Sequence, residues 1–272
     1  MRVLVLDGGG QLGTFGWGAL CELYKQGIKQ DYFDYYVCTS AGAFNAAFFL
    51  DGELAQGTRI WLKHLPERFW RPFRNDMDAL REILTTIEPL DSVKIKNSKQ
   101  KILVSLSNIG TLNCDYLCLN DQEDIISTLL ACCAMPILAK SREVNGQQYY
   151  DGGLIDQPPL QKAETFKNAE IWVISNHQQG YRLNAVVWKI ISLFTFDQNL
   201  ARLLSSMPER QNAAFSRLEQ SRGIKIIAPA QKLPIGFRST NKQKIQKTFE
   251  LGIETAKKFL RERIHNTKRL IA

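Results

Sequence analysis

The stretch Asp7-Gly8-Gly9-Gly10-Gln11-Leu12-Gly13 directly follows the apolar run Arg2–Leu6 (RVLVL) near the start of the chain. The run predicts a buried strand that ends in a tight turn. Helical spacing follows over Thr14–Gln26, and Gly27 supplies a stop. Three successive glycines allow positive φ and let backbone N–H groups approach a ligand closely. At a helix N-terminus such donors can hold a phosphate or the oxyanion of a tetrahedral intermediate.

This turn also has the spacing Gly8-x-Gly10-x-x-Gly13, which is the fingerprint of dinucleotide-binding folds. Such a fold needs an acidic residue at the end of the second strand to hold the ribose. Here Asp31 and Asp34 precede or open that strand. A Walker phosphate loop is excluded because no lysine follows Gly13. A glycine-rich turn without a ligand is the simpler alternative.

A serine follows the second predicted strand, Phe33–Cys38, in the sequence Cys38-Thr39-Ser40-Ala41-Gly42. A helix rich in small residues, Ala41–Leu50, begins directly after it. A strand–turn–helix elbow lifts a serine hydroxyl above the sheet and requires small neighbours, here Cys38 and Gly42. An ordinary helix N-cap is the alternative. The nucleophile is favoured because adjacent parallel strands place Ser40 and the glycine turn at one edge of the sheet.

An aspartate ends a later predicted strand in the sequence Tyr150-Asp151-Gly152-Gly153. Aspartate before two glycines is usually a simple turn. Beside an activated serine, however, its carboxylate can accept or orient the hydroxyl proton. A Ser-His-Asp triad would need a histidine, and His177 is the best placed of the three in the chain. A dyad of Ser40 and Asp151 fits the sequence better.

Strands alternate with helices along the whole chain. Further strands are predicted at 101–106, 147–150, 170–175 and 224–228, and helices at about 53–64, 75–87, 121–132, 184–205, 208–220 and from 241 into the 260s. This alternation indicates an α/β fold in which helices cover both faces of a mainly parallel sheet. We expect a single domain over residues 1–272.

The composition is that of an ordinary globular protein, with 44% hydrophobic and 23% charged residues. No segment has the ~20 apolar residues of a transmembrane helix, and the N-terminus lacks the roughly 7–15 apolar residues of a signal-peptide core. The six cysteines form no CxxC pair, and only three histidines accompany them. We therefore expect a cytoplasmic protein with reduced thiols and neither disulfides nor a zinc site.

The net charge of +8 is concentrated at the C-terminal end, where nine Lys or Arg residues face three Glu residues between Thr240 and Ala272. We predict a basic C-terminal helix over about 241–269. A solvated helix face is the simplest explanation, and peripheral attraction to anionic membranes is the functional one. Nucleic acid is not expected as a partner because few aromatic side chains interleave these charges.

The combination of DGGGxxG, a serine elbow and a DGG turn about 110 residues later resembles the patatin-like phospholipases. The segments 134–137 and 154–156 are also similar to that family, and the likeness covers about residues 2–260. The resemblance implies a three-layer α/β/α fold. It also implies hydrolysis of carboxylic esters in phospholipids or lysophospholipids without a metal or cofactor. Its catalytic residues would be the nucleophile Ser40, the base Asp151, and an oxyanion hole formed by the amides of Gly8, Gly9 and Gly10.

Two positions depart from the pattern of that family. The elbow usually has glycine two residues before the serine, where this chain has Cys38. A Cβ in a strained turn costs of order 1–3 kcal/mol. The first loop often has arginine before its last glycine, where this chain has Leu12 and so lacks a cation near the oxyanion. A catalytically impaired lipid-binding or regulatory protein on the same fold is therefore the alternative function.

Overall fold

A mixed sheet forms the centre of the computed structural model, which describes residues 1–71 and 74–271, with residues 71, 74 and 264–271 described by their backbone only. In the described chain the sheet has the strand order β10-β9-β1-β2-β5-β8-β7, and β6 pairs with the other edge of β5. A short separate hairpin is formed by β3 and β4. The strands are β1 (Arg2–Leu6), β2 (Tyr35–Cys38), β3 (Trp70–Arg71), β4 (Arg74–Asn75), β5 (Lys101–Asn108), β6 (Cys114–Cys118), β7 (Arg142–Val144), β8 (Gln147–Asp151), β9 (Glu170–Ile174) and β10 (Lys225–Ile227).

The strands from β10 to β5 are parallel, as the sequence predicts. Leu6 at the end of β1 is in register with Cys38 at the end of β2 and with Ile174 at the end of β9. The segments that follow these three strands therefore lie together at one edge of the sheet.

The two strands that pair with β5 after it in the chain, β6 and β8, are antiparallel to it, which the sequence did not predict. Cys38 of β2 is in register with Val104, whereas Asp151 of β8 is in register with Leu106. Since β6 occupies the opposite edge of β5, β2 and β8 lie on the same edge of it and run toward each other. Their C-terminal ends meet beside Ser105.

Helices cover both faces of the sheet, so the fold has three layers. Leu4 and Leu6 of β1 point toward one face and pack with side chains of α1 and α2, and Val3 and Val5 point toward the other face and pack against α7 and α9. The α-helices are α1 (Gly13–Lys25), α2 (Ala41–Asp51), α3 (Leu54–Arg59), α4 (Met77–Glu82), α5 (Ser92–Asn97), α6 (Ile125–Cys132), α7 (Leu160–Glu164), α8 (Ala185–Leu193), α9 (Gln198–Gln220) and α10 (Lys242–Ile271).

The helices after β9 begin and end at other residues than the sequence predicts. The predicted helix at 184–205 is interrupted, because Asp197 caps α9 by accepting hydrogen bonds from the amides of Asn199 (2.9 Å) and Leu200 (3.0 Å). The predicted boundary at Pro208 is also wrong, since α9 continues through it. Pro208 is buried, and its packing offsets the one hydrogen bond that proline cannot donate.

The two helices predicted before β5 change their winding part of the way along. The helix at 53–64 becomes α3 followed by a π-helical segment, Ile60–Phe69, and the helix at 75–87 becomes α4 followed by a second one, Ile83–Ile87. Extra residues in a helical turn are not visible in a pattern of period 3.6.

The basic C-terminal helix is α10, which packs closely against α1. A Cβ on Gly18 would collide with the Phe249 carbonyl oxygen. Some cations of α10 contact the body of the protein. Lys242 Nζ lies 2.5 Å from Glu67 Oε1, and the Arg263 guanidinium lies 4.5 Å from the centre of the Trp172 ring. The side chains of Lys268 and Arg269, also part of the predicted basic end, lie outside the described residues. Among the described helices, none combines the length and apolar character needed to cross a bilayer.

Candidate active site

Ser40 occupies a strained elbow between β2 and α2. Its backbone has φ 51° and ψ −122°, a conformation that side-chain-bearing residues rarely adopt and that costs of order 1–3 kcal/mol. The turn is held because the Thr39 amide donates to the Leu6 carbonyl oxygen (3.2 Å). Only glycine fits at position 42, since a Cβ there would collide with the same Leu6 oxygen. This geometry is that of a nucleophile elbow.

Cys38 does not carry the strain of this elbow. It is the last residue of β2, pairs in register with both neighbouring strands, and is not among the residues with positive φ. The backbone at position 38 is therefore one that any residue adopts. Its side chain is completely buried, and burial raises the pKa of the thiol well above its usual value. A neutral thiol fills the position where the family usually has glycine.

Asp151 is buried at the end of β8 and lines the same cavity as Ser40. Burial raises the pKa of its carboxyl to about 6, and interactions with the Ser40 hydroxyl and the Gly153 amide oppose part of that rise. The Gly153 amide nitrogen lies 2.8 Å from Asp151 Oδ1. The structure thus brings together the two side chains that the sequence selects as a dyad.

Asn176, just beyond β9, fixes the orientation of the glycine turn. Its Nδ2 donates to the carbonyl oxygens of Asp7 (2.9 Å) and Gly8 (2.8 Å), and its Oδ1 accepts from the Gly16 amide (3.1 Å). In a trans peptide unit the C=O and the following N–H point in opposite directions. The N–H groups of Gly8 and Gly9 therefore both point away from Asn176.

The glycine turn lies against the elbow. A Cβ on Gly8 would be 3.3 Å from the Ser40 Cβ, and Gly9 and Gly10 have φ of 122° and 58°. None of the amides of Gly8, Gly9 and Gly10 donates to an acceptor in the part of the chain that the structure describes. Asn176 fixes the direction of two of them, those of Gly8 and Gly9. Two backbone donors beside a serine hydroxyl form the arrangement that an oxyanion hole requires.

His177 is engaged with Asp7. Its Nδ1 lies 2.9 Å from Asp7 Oδ2, which also accepts hydrogen bonds from the Ser175 hydroxyl and the Asn176 amide, both at 3.1 Å. The ring stacks on Tyr181, with centres 4.1 Å apart. Within the described residues no hydrogen bond joins it to Ser40. His177 therefore helps to hold Asp7, the first residue of the glycine turn, in place.

Ser40 and Asp151 open onto a cavity of about 820 Å³. This volume lies within the range of small-molecule sites, ~300–1,000 Å³. Two cationic side chains, Arg182 and Lys232, are part of its wall, and Arg182 is paired with Glu219 (2.9 Å). The apolar part of the wall consists of Leu12, Met135, Pro136, Ile137, Leu138, Leu183, Trp188, Met207, Leu233, Ile235 and Phe237. Within the described chain, no group of three His, Cys, Asp or Glu side chains is placed to hold a metal ion.

Three residues of the site were missed at the level of sequence: Asn176, Gln157 and Cys133. Gln157 Oε1 lies 3.0 Å from the position that a Cβ on Gly8 would occupy. The Cys133 thiol interacts with both Ser40 and Asp151. Burial, Cys132 and Asp151 raise the pKa of this thiol, while its interaction with Ser40 opposes the rise. The available signal for Cys133 was its position directly before the family-like segment 134–137.

Comparison with known proteins gives three similarities. A family model described as patatin-like phospholipase matches residues 4–163, more than half of the chain. Over 172 residues the chain is 27% identical to the uncharacterized protein YjjU of Escherichia coli (strain K12), which covers 59% of this chain and 47% of that protein. The chain thus spans about half the length of this curated relative. It is also similar to the crystal structure of VipD from Legionella pneumophila, with a TM-score of 0.53 and 13% identity, over 96% of this chain and 67% of that one. At that identity the likeness concerns the fold alone.

Proposed function

Because this chain belongs to the patatin-like phospholipase family, we propose that it hydrolyses carboxylic ester bonds of phospholipids or lysophospholipids through a dyad of Ser40 and Asp151. The family supports a lipid acyl hydrolase. The observation that carries the finer proposal is that Ser40, in its strained elbow, and the buried Asp151 carboxyl interact at the wall of one apolar cavity.

In the acylation step the Asp151 carboxylate accepts the Ser40 proton while the serine oxygen attacks the ester carbonyl carbon. A carboxyl pKa of about 6 suits this role, because the group is ionised at neutral pH yet basic enough to hold a proton. The amides of Gly8 and Gly9 stabilise the oxyanion of the tetrahedral intermediate. Each such donor is worth ~10²–10³ in kcat. Collapse of the intermediate expels the alcohol, which takes the proton from Asp151.

In the deacylation step Asp151 accepts a proton from water, whose oxygen attacks the acyl-serine. The tetrahedral intermediate forms in the same oxyanion hole, breaks the bond to Ser40, and releases the fatty acid, while the serine oxygen recovers its proton from Asp151. One carboxylate thus serves both half-reactions.

The walls of the cavity support a lipid as the substrate. Most of the side chains around Ser40 are apolar, which suits an acyl chain. Arg182 and Lys232 supply positive charge in the same cavity, which suits the phosphate of a phospholipid or lysophospholipid. Leu12, in the place of the arginine common in the family, adds to the apolar wall.

The direct test is labelling by a fluorophosphonate probe together with hydrolysis of p-nitrophenyl esters. The substitution Ser40→Ala should abolish both, with an unchanged circular dichroism spectrum, because it removes only the nucleophile. Ser206→Ala, whose hydroxyl bonds to backbone carbonyls of α9, is the control and should leave both intact. Labelling that persists in Ser40→Ala would place the nucleophile elsewhere. A wild-type protein inert toward all esters would favour the impaired lipid-binding protein instead.

A further inference from the structure

Helix α8 is apolar on two faces. Its inner face, with Trp188 and Ile191, packs against the apolar cluster of α9 and forms part of the cavity wall. Its outer face and the turn after it are exposed. Leu193 is 81% exposed and Phe194 80%, and Phe196 is completely exposed. A helix that is apolar all round is normally enclosed by protein or lipid.

Exposed apolar side chains are concentrated at this place. Of the ten large hydrophobic residues exposed in the described chain, six lie between Val186 and Phe196. A seventh, Ile137, is 63% exposed and lines the same cavity as Trp188. Its φ of 73° is rare for a β-branched residue. Clusters of this kind mark interaction surfaces.

Cations predominate around the cluster, although Asp197 follows Phe196 and Glu219 pairs with Arg182. No Asp or Glu occurs from Ile171 to Phe196, whereas Arg182 and Lys189 do. Lys232, exposed at the wall of the same cavity, adds a third cation. An apolar surface beside the exposed cations Lys189 and Lys232 is complementary to an anionic lipid interface.

We propose that the outer face of α8, with Phe196 and Ile137, is a docking surface that inserts into phospholipid bilayers and brings the cavity to the lipid. The choice of a membrane as the docking partner rests on the proposed function, since a protein that hydrolyses lipid esters must reach them in a membrane. Trp188 lines the cavity two residues from Ile190 on the exposed face, so docking would place the membrane beside the substrate entrance. The cations of α10, some of which are paired with the body of the protein, would contribute less.

The test is co-sedimentation with vesicles of phosphatidylcholine and phosphatidylglycerol. Phe194→Asp and Leu193→Asp should each weaken binding by at least about tenfold, because a charge is costly to insert into the interface. Val93→Asp is the matched control: Val93 is 67% exposed on α5, outside the cavity wall, and its change should leave binding unaltered. Equal binding by Phe194→Asp and Val93→Asp would overturn the proposal.

The salt dependence and the activity separate the remaining outcomes. Wild-type binding should persist at about 1 M salt, where exposed charges are screened beyond ~3 Å; binding that vanishes there would assign it to electrostatic attraction alone and overturn insertion of the apolar surface. Hydrolysis of vesicle phospholipid should fall in Phe194→Asp, while hydrolysis of soluble p-nitrophenyl butyrate stays within about twofold of wild type. If wild type is dimeric by light scattering, binds no vesicles, and becomes monomeric in Phe194→Asp, a second copy of the chain covers the surface and the proposal is wrong. An inert protein that still binds vesicles through Phe194 would contradict only the proposed function.

Discussion

Asp151 ends β8, and Ser40 follows the end of β2, at the point where these two strands run toward each other along one edge of β5. The pairing of β2 and β8 with β5 therefore positions both the Ser40 hydroxyl and the Asp151 carboxylate. A site built on strand ends is held more precisely than one on long loops. The proximity of the two side chains follows from the register of the sheet.

Replacing Asp151 by Asn should reduce kcat by ~10²–10⁴, the usual range for loss of a general base. The amide can still accept the hydrogen bond from the Gly153 amide, so the shape of the site is kept. His177→Ala should cost less, because that ring bonds to Asp7 rather than to Ser40. Steady-state kinetics on a soluble ester distinguishes the two roles. A large loss of kcat in His177→Ala with a small loss in Asp151→Asn would refute the dyad.

The substitution Asp151→Asn should also make the protein more stable at neutral pH. The carboxyl pKa rises from 3.8 in the unfolded chain to about 6 in the fold, so folding must bury a charge that the unfolded chain carries freely. The penalty is absent below pH 3.8 and fully developed above pH 6. Asp151→Asn should therefore raise the free energy of unfolding by up to about 3 kcal/mol at neutral pH. Urea unfolding at about pH 7.5 should show the gain, which should shrink toward pH 5.

The activity should decline as the pH falls through about 6, because protonated Asp151 cannot accept the Ser40 proton. The neighbouring Cys133 thiol stays neutral throughout, since its pKa is raised. Asp156, whose pKa burial also raises to about 6, is the control because it bonds to Tyr116. A pH profile of kcat/KM should keep its acidic limb in Asp156→Asn; loss of the limb there would assign the titration to Asp156.

Replacing Asn176 by Ala should lower kcat by ~10²–10³ with little change in KM, because the Gly8 and Gly9 amides lose their fixed orientation. Asn120 is a matched control. It is also buried, its Nδ2 donates to the carbonyls of Ile95 (2.7 Å) and Gln100 (2.9 Å), and it lies outside the cavity wall. Both variants should lose similar stability, ~1–3 kcal/mol. Equal losses of kcat in Asn176→Ala and Asn120→Ala would show that the role of Asn176 is purely structural.

Restoring the glycine of the family at position 38 should change kcat/KM by less than about tenfold, or ~1.4 kcal/mol in the barrier. The reason is that the strain lies at Ser40, while Cys38 has strand backbone and a buried side chain. Cys38→Gly should instead lower stability by about 1–2 kcal/mol through the lost packing and the added backbone freedom. Activity that appears only in Cys38→Gly would mark the wild type as an impaired protein.

The glycine turn and the elbow could be predicted because each depends on residues close in sequence, and the parallel strands because strands alternate with helices along the chain. The meeting of β2 and β8 could not, because it depends on β5 extending to Asn108 and offering one edge to both strands. Asn176 was passed over in favour of its neighbour His177. Its role depends on β9 lying beside β1, and a sequence pattern does not give strand order. The single-domain organisation stays a prediction.

The dependence of the glycine turn on Asn176 has a consequence for the order of events during synthesis. The nucleophile and the base both leave the ribosome before residue 176, and the matched family region ends at 163. A nascent chain would therefore expose a serine and an aspartate with no organised oxyanion hole. Catalytic competence would begin only when β9 has emerged and added itself to β1. The proposed hydrolysis would thus be impossible until translation has passed residue 176.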